Sequence, residues 1–193
     1  MKEEGELTDY YADSKALMQY VLYYVRTAAK KLGGVSNASL AEIDGLLGSF
    51  ALSSQDKILN ETIHKTTSAA GALDAATLDL ESKVGMVFKV TEGFVGTISV
   101  SMTGMKSEVR SYSADAPAEK NEYLILKNIP AHLLCSDVTV SITPASGTAS
   151  TLYFNLATYV NGVKTDIAYA VYAYAKQASD YRVKYPTAFV LGD

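Results

Sequence analysis

Two hydrophobic rhythms divide the chain. From Asp13 to Leu32, Leu17, Val21, Tyr24, Val25, Ala28 and Leu32 recur at intervals of three and four, one face of an α-helix. Lys30 and Lys31 fall in its last turn, where cations suit the helix dipole, and Gly33-Gly34 supplies a left-handed stop. Ser39 and Glu42 have the spacing of a capping box, which predicts a short second helix weakened by Gly45 and Gly48. Residues 53–71 read as a connector, with one helical turn near Lys57 to Ile63.

After Gly71 the period becomes two. Leu78 and Leu80 alternate with polar neighbours, followed by Val84, Met86, Phe88 and Val90. Ile98, Val100 and Met102 alternate with Thr97, Ser99, Ser101 and Thr103, giving one apolar face and one hydroxyl face. Residues 107–112 make a more polar strand, 114–121 a loop around Pro117, and 123–129 another strand. A helical turn at 130–134 leads to Val138, Val140 and Ile142, then a turn at 144–147 and a last strand at 151–155. Ile167, Ala170, Val171, Tyr174, Ala178 and Tyr181 return to helical spacing, and Pro186 bars extension beyond Tyr185.

The order predicts an α+β chain: an antiparallel β-sandwich, Ig-like with six to seven strands, flanked by N-terminal and C-terminal α-helices. Its parts are a helical segment at 1–52, a connector at 53–71, a sandwich at 72–156, a helix at 157–185 and a tail at 186–193. Hydrophobic residues make up 48% of 193 residues, enough for one full core. A net charge of -4 with scattered Lys and Arg argues against nucleic acid, and no apolar run is long enough for a transmembrane segment. Cys135 is the only cysteine, so no intrachain disulfide can form.

The long helices echo each other, Tyr20-Val21-Leu22-Tyr23-Tyr24-Val25 against Tyr169-Ala170-Val171-Tyr172-Ala173-Tyr174. Shared helical composition explains this, or a repeating module whose first helix closes a preceding unit. With the strand Ala76-Thr77-Leu78-Asp79-Leu80-Glu81, the strand-turn Tyr123-Leu124-Ile125-Leu126-Lys127-Asn128-Ile129-Pro130 and the run Val138-Thr139-Val140-Ser141-Ile142, the chain resembles a known group of modules. These are the tandem β-sandwich-plus-helix accessory modules of large exported, surface-associated proteins of gut Clostridia. The resemblance departs at Val25-Arg26-Thr27 and Tyr174-Ala175-Lys176, where such helices carry a Gly-Ala-Ala run, and the linker from Ala51 to Ala70 has no counterpart. It implies an extracellular or cell-surface location, neighbouring domains of a longer chain as partners, and a non-catalytic accessory role with no catalytic residues to carry over.

No residue set points to a cofactor, a metal or a catalytic centre. His64 and His132 are the only histidines and have no spacing that pairs them. Asp74, Asp79 and Glu81 read as a solvated strand face more readily than as calcium ligands. Cys135 reads as a small buried residue, with His132 three positions away as the one hint of reactivity. For a protein or glycan ligand, Tyr112, Tyr123 and Tyr153 are the stacking candidates. The expected role is an interaction or spacer module; the alternatives are a carbohydrate-binding module and a virion or filament subunit.

Overall fold

The computed structural model describes residues 4–65, 71–80 and 83–187, with side chains described from residue 8 onward. It is α+β, with four helices and two antiparallel sheets of seven strands in all. Helices α1 (Glu4–Leu32) and α2 (Asn37–Leu47) precede the strands β1 (Leu73–Asp79), β2 (Gly85–Val90), β3 (Gly96–Met102), β4 (Glu108–Tyr112), β5 (Tyr123–Leu126), β6 (Val138–Pro144) and β7 (Ser150–Phe154). Helices α3 (Leu156–Val163) and α4 (Asp166–Lys184) follow. One sheet has the order β1-β2-β5 and the other β4-β3-β6-β7.

The period of two in the sequence becomes one shared core. Met86, Phe88 and Val90 of β2, Ile98 and Val100 of β3, and Val138, Val140 and Ile142 of β6 are each 1% exposed or less. They belong to a single apolar cluster with Leu124 and Leu126 of β5. Phe88 and Phe154 meet edge to face at 5.8 Å, joining the two sheets. On the outward face of the four-stranded sheet the register sets Thr97 beside Thr143, Ser99 beside Ser141 and Ser101 beside Thr139. That face carries hydroxyls where the other carries the core.

Helix α4 is part of this core. Ala168, Val171, Tyr172 and Ala175 join the sheet cluster, while Tyr174, Ala178 and Tyr181 form a second cluster with Leu17 of α1. The two long helices run antiparallel. Asp13 meets Lys184 (2.5 Å) and Tyr185 (2.8 Å), Ser14 meets Tyr181 (2.8 Å), and Tyr24 stacks on Tyr174 at 6.0 Å.

Several boundaries differ from the sequence reading. Helix α1 begins at Glu4 rather than Asp13, before any apolar period starts. Helix α2 is capped by Ser36, whose side chain accepts from the Ser39 amide, so Ser39 lies inside the helix and not at its cap. Strand β1 starts at Leu73, ahead of the alternation seen from Thr77, and a register irregularity between Leu73 and Ala75 hides the rhythm. The C-terminal helix is two helices. Asn155 caps α3 by accepting from Thr158 N (2.8 Å), and Lys164, left-handed at φ 49°, ends it before Thr165 caps α4.

The connector is not free coil. Among its described residues the 3-10 turn is Gln55–Lys57, earlier than the turn expected at 57–63. Its other described residues, up to 65, form a strap tied to the helices through side chains. Phe50 packs edge to face on Tyr20 (5.0 Å), and Tyr20 donates to Asp56 (2.7 Å). Further along, Tyr172 bonds Ile58 O, Asn60 N and Glu61.

Candidate functional site

The strap ends at the most concentrated polar junction described. Asp137, just before β6, accepts from Asn155 Nδ2 (2.8 Å) and pairs with His64 Nε2 (2.8 Å) through the same oxygen, Oδ1. Asn155 Nδ2 also donates to Thr62 O, and its Oδ1 accepts from both Thr158 N and Thr158 Oγ1. The His64 amide donates to Thr158 Oγ1 (3.0 Å). Burial alone would raise the Asp137 carboxyl, but hydrogen bonds from His64 and Asn155 outweigh it and hold the group below its ordinary value.

A histidine-aspartate pair resembles half of a hydrolase triad, so the remaining half decides its meaning. A general base needs a hydroxyl or thiol on its other ring nitrogen. Among the described residues His64 has no such neighbour; its ring instead lies 5.6 Å from that of Tyr153. The polar atoms named at this junction either fasten Thr62 and His64 of the strap or cap α3. Asn155 is fully buried and Thr158 is 8% exposed, whereas the Asp137 side chain is half exposed.

The other sequence candidates are dispersed. Tyr112 on β4 packs edge to face on Phe94 at 6.1 Å and donates to Glu122 (3.4 Å), turned toward the core edge. Tyr123 is exposed on β5, paired with Lys89 on the three-stranded sheet. Tyr153 is exposed on β7, paired with Thr139 on the hydroxyl face of the other sheet. The three rings therefore stand on three separate surfaces and form no common platform. Asp74 bonds Thr91 and pairs with Lys89, and Glu81 lies outside the described residues. Among the described residues no group of three or more His, Cys, Asp or Glu could hold a metal. Burial pushes the Cys135 thiol up to about 12, so it is a neutral thiol at physiological pH and a poor nucleophile.

The described surface also offers an apolar recess. A groove of about 560 Å³ runs between the C-terminal half of α1 and the end of the three-stranded sheet. Val21, Val25 and Leu32 line one wall, and Leu80, Val84 and Ile129 the other, with Lys83 and Asn128 at the rim. Leu32 is 61% exposed, and Val25 and Val35 are each 39% exposed, on the wall that faces the sheet. Helix α1 touches α4 and α2 extensively but bridges the sheet only across this gap. The helical period of α1 exposed these residues to sequence reasoning as one apolar face. The opposite wall comes from two distant segments, one with Leu80 and Val84 and one with Asn128 and Ile129, which no local pattern connects.

No helix among the described residues is long and apolar enough to cross a membrane. No protein-family model, curated protein or solved structure matches the chain.

Proposed function

We propose that this chain is a non-catalytic interaction module of an exported, multidomain surface protein, and that the groove beside α1 receives an apolar segment of a partner. The groove carries the reading. An open apolar channel of about 560 Å³ lies in the range of ligand sites, and its lining keeps large aliphatic side chains in water when empty. The polar groups that might have argued for catalysis are occupied in fastening the strap. The strand order β1-β2-β5 against β4-β3-β6-β7 supports an Ig-like sandwich, a frame that commonly presents binding surfaces. Helices α1 and α4 on its flank would then set the angle to neighbouring modules.

Peptide display against the immobilised chain, with an Ala28→Arg variant as counter-target, tests this. Ala28 lines the groove, and an arginine there fills it with a cation. Peptides with paired large apolar residues are expected to be enriched on the parent chain and to lose about tenfold or more in affinity for the variant. Absence of enriched peptides, or equal binding to both, removes the proposal.

A further inference from the structure

A second cleft, distinct from the apolar groove, lies where the last turns of α1 meet the start of α4. It has a volume of about 520 Å³ and is lined by Arg26, Lys30, Lys31 and Lys164, with Thr165 and Asp166 at one side. We infer that this cleft is an anion-binding site for a phosphate- or sulfate-bearing ligand. The inference does not depend on the reading of the groove.

The charge balance carries it. The chain as a whole is acidic, with 21 Asp and Glu against 17 Lys and Arg. At this cleft the ratio reverses: four cations face two nearby carboxylates, Asp44 and Asp166. Asp44 is taken by Arg26, which it fixes in place. Lys30, Lys31 and Lys164 make no ion pair among the described residues. Three unpaired ammonium groups around one cavity repel each other, and a bound anion relieves that repulsion.

Helix ends account for each lysine singly, since Lys30 and Lys31 stand in the last turn of α1 and Lys164 closes α3, but not for their convergence on one cleft. The first turn of α4 is also served already, because Thr165 Oγ1 accepts from the Ala168 amide (3.4 Å) and Asp166 stands in that turn. Attraction for an anion therefore comes from the side chains. The Thr165 hydroxyl retains its proton as a donor to a ligand oxygen, and Ile167 gives the cleft an apolar floor. The space far exceeds one oxyanion, which suits a phosphate or sulfate ester on a sugar-sized body.

Amide chemical shifts of the full chain would be followed at low ionic strength during titration with inorganic phosphate, a sulfated disaccharide and a neutral disaccharide of the same size. Saturable shifts at Gly33, Gly34, Thr165 and Asp166 are expected with the charged probes, weakening as sodium chloride is added. The triple variant Lys30→Gln, Lys31→Gln, Lys164→Gln should weaken binding by about tenfold or more and keep the parent melting temperature. Equal binding of phosphate and sulfated disaccharide identifies a compact oxyanion site; binding of the disaccharide alone identifies an extended anion. Absence of saturable shifts, equal response to the neutral sugar, or unchanged binding by the triple variant overturns the inference.

Discussion

Tyr172, at the centre of α4, donates its phenol proton to Glu61 of the connector at 2.5 Å, across 111 positions of chain. Its ring is fully buried, the same oxygen accepts from Asn60 N, and Ile58 O stands 3.2 Å away as an alternative acceptor for the one proton. Desolvation, reinforced by Glu61, raises the phenol well above its ordinary value, so the group stays neutral and remains a donor. One hydroxyl thus gathers three residues, Ile58, Asn60 and Glu61, of a segment that has little regular structure.

Tyr172→Phe keeps the buried ring and removes that hydroxyl. The loss of hydrogen bonds to partly buried groups is expected to cost about 1–3 kcal/mol. For a chain of this size that lowers the melting temperature by about 2–4 °C per kcal/mol. Hydrogen exchange should accelerate at Asn60 and its neighbours while β2, β3 and β6 stay protected. Uniform acceleration across all elements would show that the strap is not a separately held unit.

Gly96 opens β3 at φ 145°, a conformation that favours glycine. A Cβ built there would lie 2.4 Å from Thr143 O and 2.7 Å from Pro144 Cα, both backbone atoms of the neighbouring strand. Neither can move without breaking the β3–β6 ladder. Gly96→Ala combines backbone strain with overpacking, and a destabilisation of about 3 kcal/mol or more is expected in chemical denaturation. A cost under about 1 kcal/mol would mean that the strand start relaxes freely.

The sequence displayed what is periodic and hid what is held by single contacts. Strands β2, β3 and β6 alternate cleanly because one face is buried and the other wet, and the structure buries the expected residues. The helix expected at 157–185 covers α3, but its division into α3 and α4 escaped notice because the stop is a left-handed lysine in place of a glycine. The strap escaped because its partners, Tyr20, Tyr172, Asn155 and Asp137, lie from 36 to 114 residues away and leave no local signature. His64 was visible as a residue, but its role depends entirely on Asp137, 73 positions on.

The Asp137 junction predicts a pH response. Its carboxyl is lower in the folded chain than the value near 4 of an unfolded aspartate, so the unfolded chain takes up a proton first as pH falls. The stabilisation is therefore fully present above that unfolded value and drains away as pH drops through it toward the folded one. Asp137→Asn removes the titrating group, and its stability should fall less between about pH 5 and pH 3 than that of the parent. Denaturant midpoints measured across that range provide the comparison. Parallel curves would show that His64 and Asn155 gain nothing from the charge.

Removal of α1 asks whether the first helix belongs to this unit. A chain beginning at Val35 uncovers Tyr174, Ala178 and Tyr181 on α4, which are now 7% exposed or less, and loses the buried Leu17. Burial of a large apolar side chain contributes about 1.5–3 kcal/mol, so several such losses should lower the melting temperature by about 10 °C or more. Tyr174, Tyr181, Lys184 and Tyr185 also lose their α1 partners Tyr24, Ser14 and Asp13, and the sheet core loses the packing of Tyr24. A large fall that Leu17→Asp reproduces in part makes α1 an integral layer of the fold. An unchanged melt would mean that α1 docks without stabilising α4, as expected of a helix that closes the preceding module of a tandem array.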